Sequence, residues 1–191
     1  MKISGTFGEK NPRSHLYVGP MKSGKSAHLI AHAQKYGVFC SVYVIKPKID
    51  TTASKEEIAS RIGTKVKCVA LNELSECHED PAFLTATVCV IDEAQFFPDL
   101  LQHVMLWSPK KNHIIAALDA DSEQKKFGQV WDIIPYVHEV AKLCALCEMC
   151  KDGTEAIATI AKGEKTSQIQ IDDREKTVYK SVCHYHIWNE D

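Results

Sequence analysis

The sequence predicts an α/β fold in which helices cover both faces of a parallel β-sheet. Short, continuous apolar runs at residues 42–45, 88–91 and 114–118 are typical of strands that are buried on both faces. Helical or polar stretches separate these runs along the chain. Because parallel strands need long crossover connections, this alternation indicates a parallel sheet.

The first predicted strand, residues 16–18, leads through a loop into a predicted helix at residues 25–36. The loop has the spacing of a phosphate-binding loop, whose N–H groups and helix dipole face a polyphosphate, so the expected fold is of the P-loop NTPase type. Lys25 would reach the β- and γ-phosphates of ATP, and the Ser26 hydroxyl would bind Mg²⁺. The loop residues expected to bind ATP and Mg²⁺ are Gly19, Pro20, Met21, Lys22, Ser23, Gly24, Lys25 and Ser26.

The elements after the strand at 42–45 are less regular. Residues 46 and 47 are expected to form a turn, residues 56–61 a helix that Gly63 ends, and residues 66–71 a further strand. Residues 100–107 are expected to form a helix with Asp99 as its N-cap. The composition of the chain changes near residue 143, where cysteines begin to cluster. Residues 151–176 are polar and are expected to form a loop. We therefore expect two domains, residues 1–142 and residues 143–191.

Two adjacent carboxylates end the strongest predicted strand, residues 88–91. Asp92 would hold Mg²⁺, directly or through water, because an acid at the end of a strand is the usual second half of a P-loop nucleotide site. Glu93 need not share the metal, since side chains diverge at a strand end. It could accept the proton of an acceptor hydroxyl and act as a general base.

A cysteine and histidine cluster predicts a metal site near the carboxyl terminus. Cys147 and Cys150 are separated by two residues, as are Cys183 and His186, and this spacing suits tetrahedral Zn²⁺. Cys144 with Cys147 has the same spacing and is the alternative pair, but Cys144 lies in an apolar run where a buried free thiol is ordinary. The zinc would be structural and would close the loop at residues 151–182.

The composition is that of a globular protein, with 45% hydrophobic residues, 25% charged residues and a net charge of −2. That charge gives no general attraction to nucleic acid or to anionic membranes. No apolar run approaches the length of a membrane span, and residues 1–15 lack the apolar centre of a signal peptide. We expect a cytoplasmic protein (in the host cytoplasm if it is phage-encoded) whose eight cysteines are reduced.

Together these motifs resemble the zinc-containing thymidine kinases of the cellular, bacterial and phage type, over residues 16–188. The matching segments are the loop at 19–26, Asp-Glu-Ala-Gln-Phe at 92–96, Ala-Leu-Asp at 117–119 and the two metal-ligand pairs. The resemblance implies 5′-phosphorylation of thymidine in pyrimidine salvage, with Lys25 and Glu93 as catalytic residues. It also implies a commonly tetrameric enzyme that thymidine triphosphate commonly inhibits. Besides residues 19–26, the residues expected to bind ATP and Mg²⁺ are Asp50, Asp92 and Gln95.

In this family a zinc-anchored lasso, here residues 151–182, closes over the nucleoside. The resemblance implies a nucleoside site lined by Met21, Leu118, Ser122, Phe127, Thr159, Ile169, Gln170, Ile171 and Tyr179. The chain departs from the family at Ser122, where relatives have an aromatic residue that stacks on the base, and at Asp172 and Asp173, where they have Gly-Gly. Either Phe127 replaces the missing aromatic residue or the preferred nucleoside differs.

Three other functions fit parts of the sequence. One is a kinase for a modified or related pyrimidine deoxynucleoside, and another is a nucleotide-binding regulatory protein without turnover. Glu93 argues against the regulatory protein, which would not need a general base. The third is a zinc-ribbon nucleic-acid module joined to an ATPase core, against which stand the net charge of −2 and the lack of a basic stretch with interleaved aromatic residues.

Overall fold

The computed structural model describes residues 11–50, 54, 56–163, 168 and 177–189. Its α-helices are α1 Lys25–Gly37, α2 Pro81–Thr85, α3 Leu100–Trp107 and α4 His184–Trp188, with short 3-10 helices at Leu74–Glu79, Ala94–Phe96 and Ile134–Tyr136. Its strands are β1 Ser14–Gly19, β2 Val42–Pro47, β3 Glu57–Ala59, β4 Lys65–Lys67, β5 Val69–Leu71, β6 Val88–Ile91, β7 Asn112–Leu118, β8 Glu139–Lys142, β9 Ala145–Leu146, β10 Glu155–Ala156, β11 Ala158–Gly163 and β12 Thr177–Val182.

Six strands form a central sheet in the order β5-β2-β6-β7-β1-β8, and every neighbouring pair is parallel. This confirms the predicted parallel sheet. Because all six strands run the same way, their carboxyl ends lie along one edge. The loop after β1, the acidic residues after β6 and the turn after β7 therefore meet there, where open α/β sheets bind ligands.

Helices cover both faces of the sheet, as predicted. On one face, Leu29 and Ile30 of α1 pack with Val90 and Ile114. On the other face, a second buried cluster joins alternate strand residues to the 3-10 helix at Leu74–Glu79, to α2 and to α3. The alternation of side chains along each strand sends neighbouring apolar residues to opposite faces, so both layers are apolar.

Three local predictions were wrong. Residues 46 and 47 continue β2 instead of turning, and residues 56–61 contain β3 of a β3–β4 hairpin instead of a helix. The strand expected at 66–71 is two strands, since β4 pairs with β3 whereas β5 pairs with β2. Asp99 occupies the N-cap position of α3, as predicted, but its side chain makes no capping hydrogen bond to that helix. It accepts hydrogen bonds from the backbone N–H groups of Leu74 and Ser75.

The carboxyl-terminal part of the chain forms a small module of its own two-stranded sheets, β9 with β10 and β11 with β12. Its buried residues form a cluster separate from those of the central sheet. The prediction of a loop at residues 151–176 was wrong where the structure describes it, because β10 and all of β11 lie there. Residues 164–167 and 169–176 lie outside the described part, and the domain boundary between residues 142 and 143 stays a prediction. None of the helices in the described ranges combines the length and the apolar character needed to span a bilayer.

Candidate active site and metal centre

The loop after β1 wraps around the amino group of Lys25, the first residue of α1. Lys25 is buried, and its Nζ donates to the carbonyl oxygens of Gly19 at 3.1 Å and Pro20 at 2.7 Å. Gly24 caps the helix with φ of +84°, a left-handed conformation that glycine adopts without strain. Gly19 is equally constrained, since a Cβ there would lie 2.4 Å from the carbonyl oxygen of Leu143. The sequence therefore builds the compact strand–loop–helix turn that phosphate binding requires.

Burial lowers the pKa of the Lys25 ammonium, and the nearby charges of Glu93 and Asp92 oppose this shift. The positive charge is thus held in a site of low solvent exposure beside two carboxylates. In such surroundings a charge acts more strongly on a bound phosphate than it would in water. The arrangement suits the role predicted for Lys25.

Asp92 lies at the carboxyl end of β6 and is almost fully buried. Burial, and then the charge of Glu93, raise the pKa of the Asp92 carboxyl to about 7, although the Ser26 hydroxyl, the Glu93 N–H and the Lys25 charge favour the ionised form. The Ser26 hydroxyl donates to the Asp92 carboxylate. The two predicted Mg²⁺ ligands therefore lie side by side, and a divalent cation between them would favour the charged carboxylate.

Glu93 follows in a left-handed backbone conformation, with φ of +48°. Its N–H donates to Asp92 Oδ1 at 3.0 Å, and its side chain is half-buried. A residue with a β-carbon rarely adopts this conformation, and such residues concentrate at functional sites. The strained turn separates the two side chains, so Asp92 points into the buried corner while Glu93 remains accessible.

Gln95 holds the Glu93 carboxylate in place. The Gln95 Nε2 donates to Glu93 Oε2 at 2.6 Å, and the Gln95 Oε1 accepts from the Leu118 N–H at 3.0 Å. Gln95 was predicted to bind ATP or Mg²⁺, but the bonds of the structure connect it to Glu93 and to the end of β7. Sequence reasoning missed this positioning contact because it depends on β6 and β7 being neighbours.

Two charged residues at the same edge were also missed. Lys46, at the end of β2, has no exposed surface, and its Nζ donates to the Ser54 carbonyl at 2.9 Å and lies 3.6 Å from Asp50 Oδ2. Asp119, after β7, is buried and forms an ion pair with Lys142. Asp50, predicted for ATP or Mg²⁺, thus has a buried cation as its neighbour. A charged residue that ends an apolar parallel strand is the signal that could have identified both.

The described residues among those predicted to line the nucleoside pocket belong to two groups: Leu118 and the loop residues Met21, Ser122 and Phe127 next to the central sheet, and Thr159 and Tyr179 on the small module. The Thr159 Oγ1 accepts from the Met21 N–H at 2.9 Å, and the Thr159 carbonyl accepts from Gln124 Nε2 at 2.8 Å. Tyr179 lies on β12, near Thr159 on β11. Leu118 ends β7, and Ser122 is half-buried in the turn that follows.

Phe127 is the buried aromatic residue of this region and contacts Phe96 edge to face, with ring centroids 5.4 Å apart. Whether Phe127 replaces the aromatic residue that is missing at position 122 stays a prediction. Ile169, Gln170 and Ile171, also predicted for nucleoside binding, lie outside the described residues.

The four predicted metal ligands come together in one cluster. The Sγ atoms of Cys147, Cys150 and Cys183 and the Nδ1 of His186 all lie within 4.8 Å of one another. Cys150 and Cys183 are 3.8 Å apart, and the three thiols lie 3.3–3.6 Å from His186. Zn–S bonds of about 2.3 Å in a tetrahedron give sulfur separations of about 3.8 Å, so this donor set fits a structural zinc.

The backbone of the cluster favours a thiolate at Cys147. Burial alone would raise its pKa, but N–H groups of Cys150, Cys183 and Met149 point at the sulfur and lower the pKa to about 6. Cys144, the alternative ligand, is outside the cluster formed by the described residues. The geometry thus favours Cys150 over Cys144 as the partner of Cys147.

Comparisons with known proteins agree with this site. A family model described as thymidine kinase matches residues 13–187. The chain is 36% identical over 179 residues to a thymidine kinase of Oryza sativa subsp. japonica, an alignment that covers 90% of this chain and 65% of that protein. It is 35% identical over 178 residues to thymidine kinase a of Arabidopsis thaliana, covering 90% and 73%. It is 33% identical over 173 residues to a thymidine kinase of Yaba monkey tumor virus, covering 88% and 91%. Because the family model matches residues 13–187, nearly the whole chain, and these relatives are 33–36% identical to it, the chain belongs to the thymidine kinase family.

Proposed function

We propose that this protein transfers the γ-phosphoryl group of ATP to the 5′-hydroxyl of thymidine, as an enzyme of pyrimidine salvage. The single observation that carries the proposal is the grouping of Lys25, Asp92 and Glu93 at one edge of the sheet. Lys25 and Asp92 are buried behind the phosphate loop, whereas Glu93 is accessible and is held by Gln95. A nucleotide-binding protein without turnover has no need of an accessible general base such as Glu93.

The geometry supports a division of labour among these residues. Lys25 and the loop N–H groups would hold the β- and γ-phosphates, and Ser26 with Asp92 would hold Mg²⁺, which would supply positive charge to neutralise the phosphates. The 5′-oxygen of the nucleoside attacks the γ-phosphorus, the bond from that phosphorus to the β–γ bridging oxygen breaks, and ADP leaves. Glu93 accepts the proton of the 5′-hydroxyl as the new bond forms.

The small module would hold the nucleoside against this edge. Thr159 and Tyr179, on its β11–β12 hairpin, lie on the side of Met21 in the phosphate loop. A segment that excludes water lets the nucleoside hydroxyl compete with bulk water for the phosphoryl group. The zinc at Cys147, Cys150, Cys183 and His186 would stabilise the module and take no part in the chemistry.

The test is a nucleoside panel. Purified protein with MgATP is offered thymidine, deoxyuridine, deoxycytidine and purine deoxynucleosides, and monophosphate products are measured. We expect thymidine 5′-monophosphate as the main product. Lys25→Ala should weaken ATP binding and slow turnover together, because the same positive charge stabilises bound ATP in the ground state and the phosphoryl group in the transition state. Nucleotide binding without phosphorylation of any nucleoside would contradict the proposal and favour the regulatory protein.

A kinase for a modified pyrimidine is the second candidate, and Ser122 is the observation that favours it. A small side chain leaves room beside the base, and its hydroxyl could bond a polar 5-substituent. A competition series over hydrogen, methyl, hydroxymethyl and larger 5-substituents separates the two candidates. A preference for methyl supports thymidine, whereas a preference for hydroxymethyl supports the modified nucleoside.

We also propose the family's quaternary and regulatory properties for this chain, namely a homotetramer that thymidine triphosphate inhibits. A cytoplasmic location is part of the same proposal, since all eight cysteines are free thiols and three of them belong to the metal cluster. Sedimentation of the purified protein and inhibition by thymidine triphosphate at fixed ATP would test the first two. The two-domain division is tested by limited proteolysis near residue 143.

A further inference from the structure

The phosphate loop is bonded to the small module through the backbone of Met21. Its N–H donates to Thr159 Oγ1 at 2.9 Å, and its carbonyl accepts from the Ser181 hydroxyl at 2.5 Å. Thr159 and Ser181 are directly opposite each other on β11 and β12. One cross-strand pair of the module therefore holds both polar backbone groups of one loop residue.

The next loop residue, Lys22, contacts the turn that carries two residues of the metal cluster. Its Nζ forms an ion pair with Glu148, which lies between the metal ligands Cys147 and Cys150. Lys22 has φ of +65°, a left-handed conformation that costs energy for a residue with a side chain and persists where contacts enforce it. The ion pair is such a contact, and it ties the conformation of the loop to the turn that carries two cysteines.

Glu148 also connects its ion pair with Lys22 to the strand residue Ser181, which binds Met21. Its backbone N–H donates to the Ser181 carbonyl at 2.9 Å, and its Oε2 accepts from the Ser181 N–H at 2.7 Å. Met21, Lys22, Glu148 and Ser181 thus form a closed ring of one peptide link, one ion pair and several hydrogen bonds. A ring that closes through neighbouring residues leaves few independent motions, so a change in the cysteine turn is transmitted to the loop.

We propose that Glu148 is a positioning residue that couples the metal cluster to the nucleotide site, so that nucleotide binding and metal retention strengthen each other. The inference rests on the proposed ATP and zinc sites. Metal binding fixes the turn between Cys147 and Cys150, the turn fixes the Glu148 carboxylate, and that carboxylate holds Lys22 and the loop in the arrangement that binds phosphate. Because such a coupling is reciprocal in binding free energy, bound nucleotide must tighten the binding of the metal.

The test measures zinc affinity and nucleotide affinity in the zinc-loaded, full-length protein. The zinc dissociation constant is measured by equilibrium competition with a chromophoric chelator, with and without saturating MgADP, and the MgADP dissociation constant is measured by calorimetry. The variants are Glu148→Gln, which keeps an oxygen for the Ser181 N–H but loses the charge, Lys22→Met and the double variant. Glu57→Gln is the matched control, since it removes the exposed ion pair with Lys65 in the β3–β4 hairpin.

In the wild type, MgADP should lower the zinc dissociation constant about 3- to 10-fold, a coupling in the range of a partly exposed, hydrogen-bonded ion pair. Glu148→Gln and Lys22→Met should each abolish most of this tightening and raise the MgADP dissociation constant by a similar factor. The double variant should be no worse than either single variant, because both remove the same contact. Glu57→Gln should behave as the wild type.

A zinc dissociation constant that is unchanged or higher with bound MgADP would overturn the inference, as would effects of the two single variants that add in the double variant. These results leave the proposed function standing, because the wild type still binds nucleotide. A wild type that fails to bind MgADP would overturn the inference and the proposed ATP site together.

Discussion

The central sheet and the carboxyl-terminal module stabilise themselves in different ways. Among the described residues, the two faces of the sheet bury clusters of 20 and 10 apolar side chains, whereas the module buries a cluster of 6, of which Cys147 and Cys183 are metal ligands. So small a core rarely suffices, and small modules commonly need a metal or a disulfide. The comparison teaches that the proposed catalytic residues lie on the part that folds by burial, while the module proposed to hold the nucleoside has a small core and a Cys/His cluster that fits a stabilising metal.

The largest expected effect is a loss of turnover that leaves the stability of the sheet and of the module unchanged. Glu93→Gln should lower turnover about 10²-fold or more, since general base catalysis contributes about 10²- to 10⁴-fold. The ATP dissociation constant and the zinc content should stay near wild type. Near-normal turnover at saturating nucleoside would mean that the proton leaves by another route.

Removing the metal should affect the module before the sheet. Cys150→Ser should abolish zinc binding, by metal analysis, and raise the nucleoside KM about 10- to 100-fold, while far-ultraviolet circular dichroism keeps the signal of the α/β core. Cys144→Ser, the matched control, should retain one zinc per chain. The reverse pattern would move the site to Cys144 and Cys147, and simultaneous loss of the core signal would show that the two regions fold as one.

A substitution in the turn after β7 tests whether residues next to the central sheet stack on the base. If Ser122 leaves the base without a stacking partner, Ser122→Phe should tighten thymidine binding by up to about 1–3 kcal/mol, measured by calorimetry. Phe127, buried against Phe96, is the alternative partner. Neutral or weakened binding in Ser122→Phe would show that Phe127 already fills this space.

The smallest predicted effect concerns the buried His113 of β7. Burial, with a minor contribution from the Lys111 charge, lowers the pKa of His113 to about 3. Because the folded pKa lies below the unfolded value of about 6.5, the unfolded chain binds the proton first, and stability falls as pH drops from 6.5 toward 3. At pH 5.5 the loss from this group should be about 1 kcal/mol.

Urea unfolding at pH 7.5 and pH 5.5 measures this loss. His113→Leu should show a smaller decrease between the two pH values than the wild type, and contributions from the metal module cancel in the comparison. An equal decrease in both proteins would place the acid sensitivity in other groups, such as His32, whose pKa burial lowers to about 4.

The regions also differ in how well the sequence predicted them. In the sheet, apolar strands and a strand–loop–helix motif are local patterns, so β1, β2, β6, β7, α1 and α3 all occur where expected. The errors at residues 46–47, 56–61 and 66–71 fall where weak local patterns were overridden by strand pairing. In the module, the four residues of the Cys/His cluster were identified by spacing, but β10 and β11 were taken for a loop because residues 151–176 are polar as a whole, although residues 156–161 are mostly Ala and Ile.

Local sequence alone determined the phosphate loop, the acidic end of β6 and the four metal ligands, because each is a short pattern whose residue types are set by the chemistry. Tertiary structure decided which groups meet. Gln95 reaches Glu93 and Leu118 because β6 lies beside β7, and Lys46 becomes a buried cation because β2 lies between β5 and β6. The ring of Met21, Lys22, Glu148 and Ser181 joins residues more than 120 positions apart. No local pattern encodes such contacts, because they arise only when parallel strands and the metal-anchored hairpin bring distant segments to one edge.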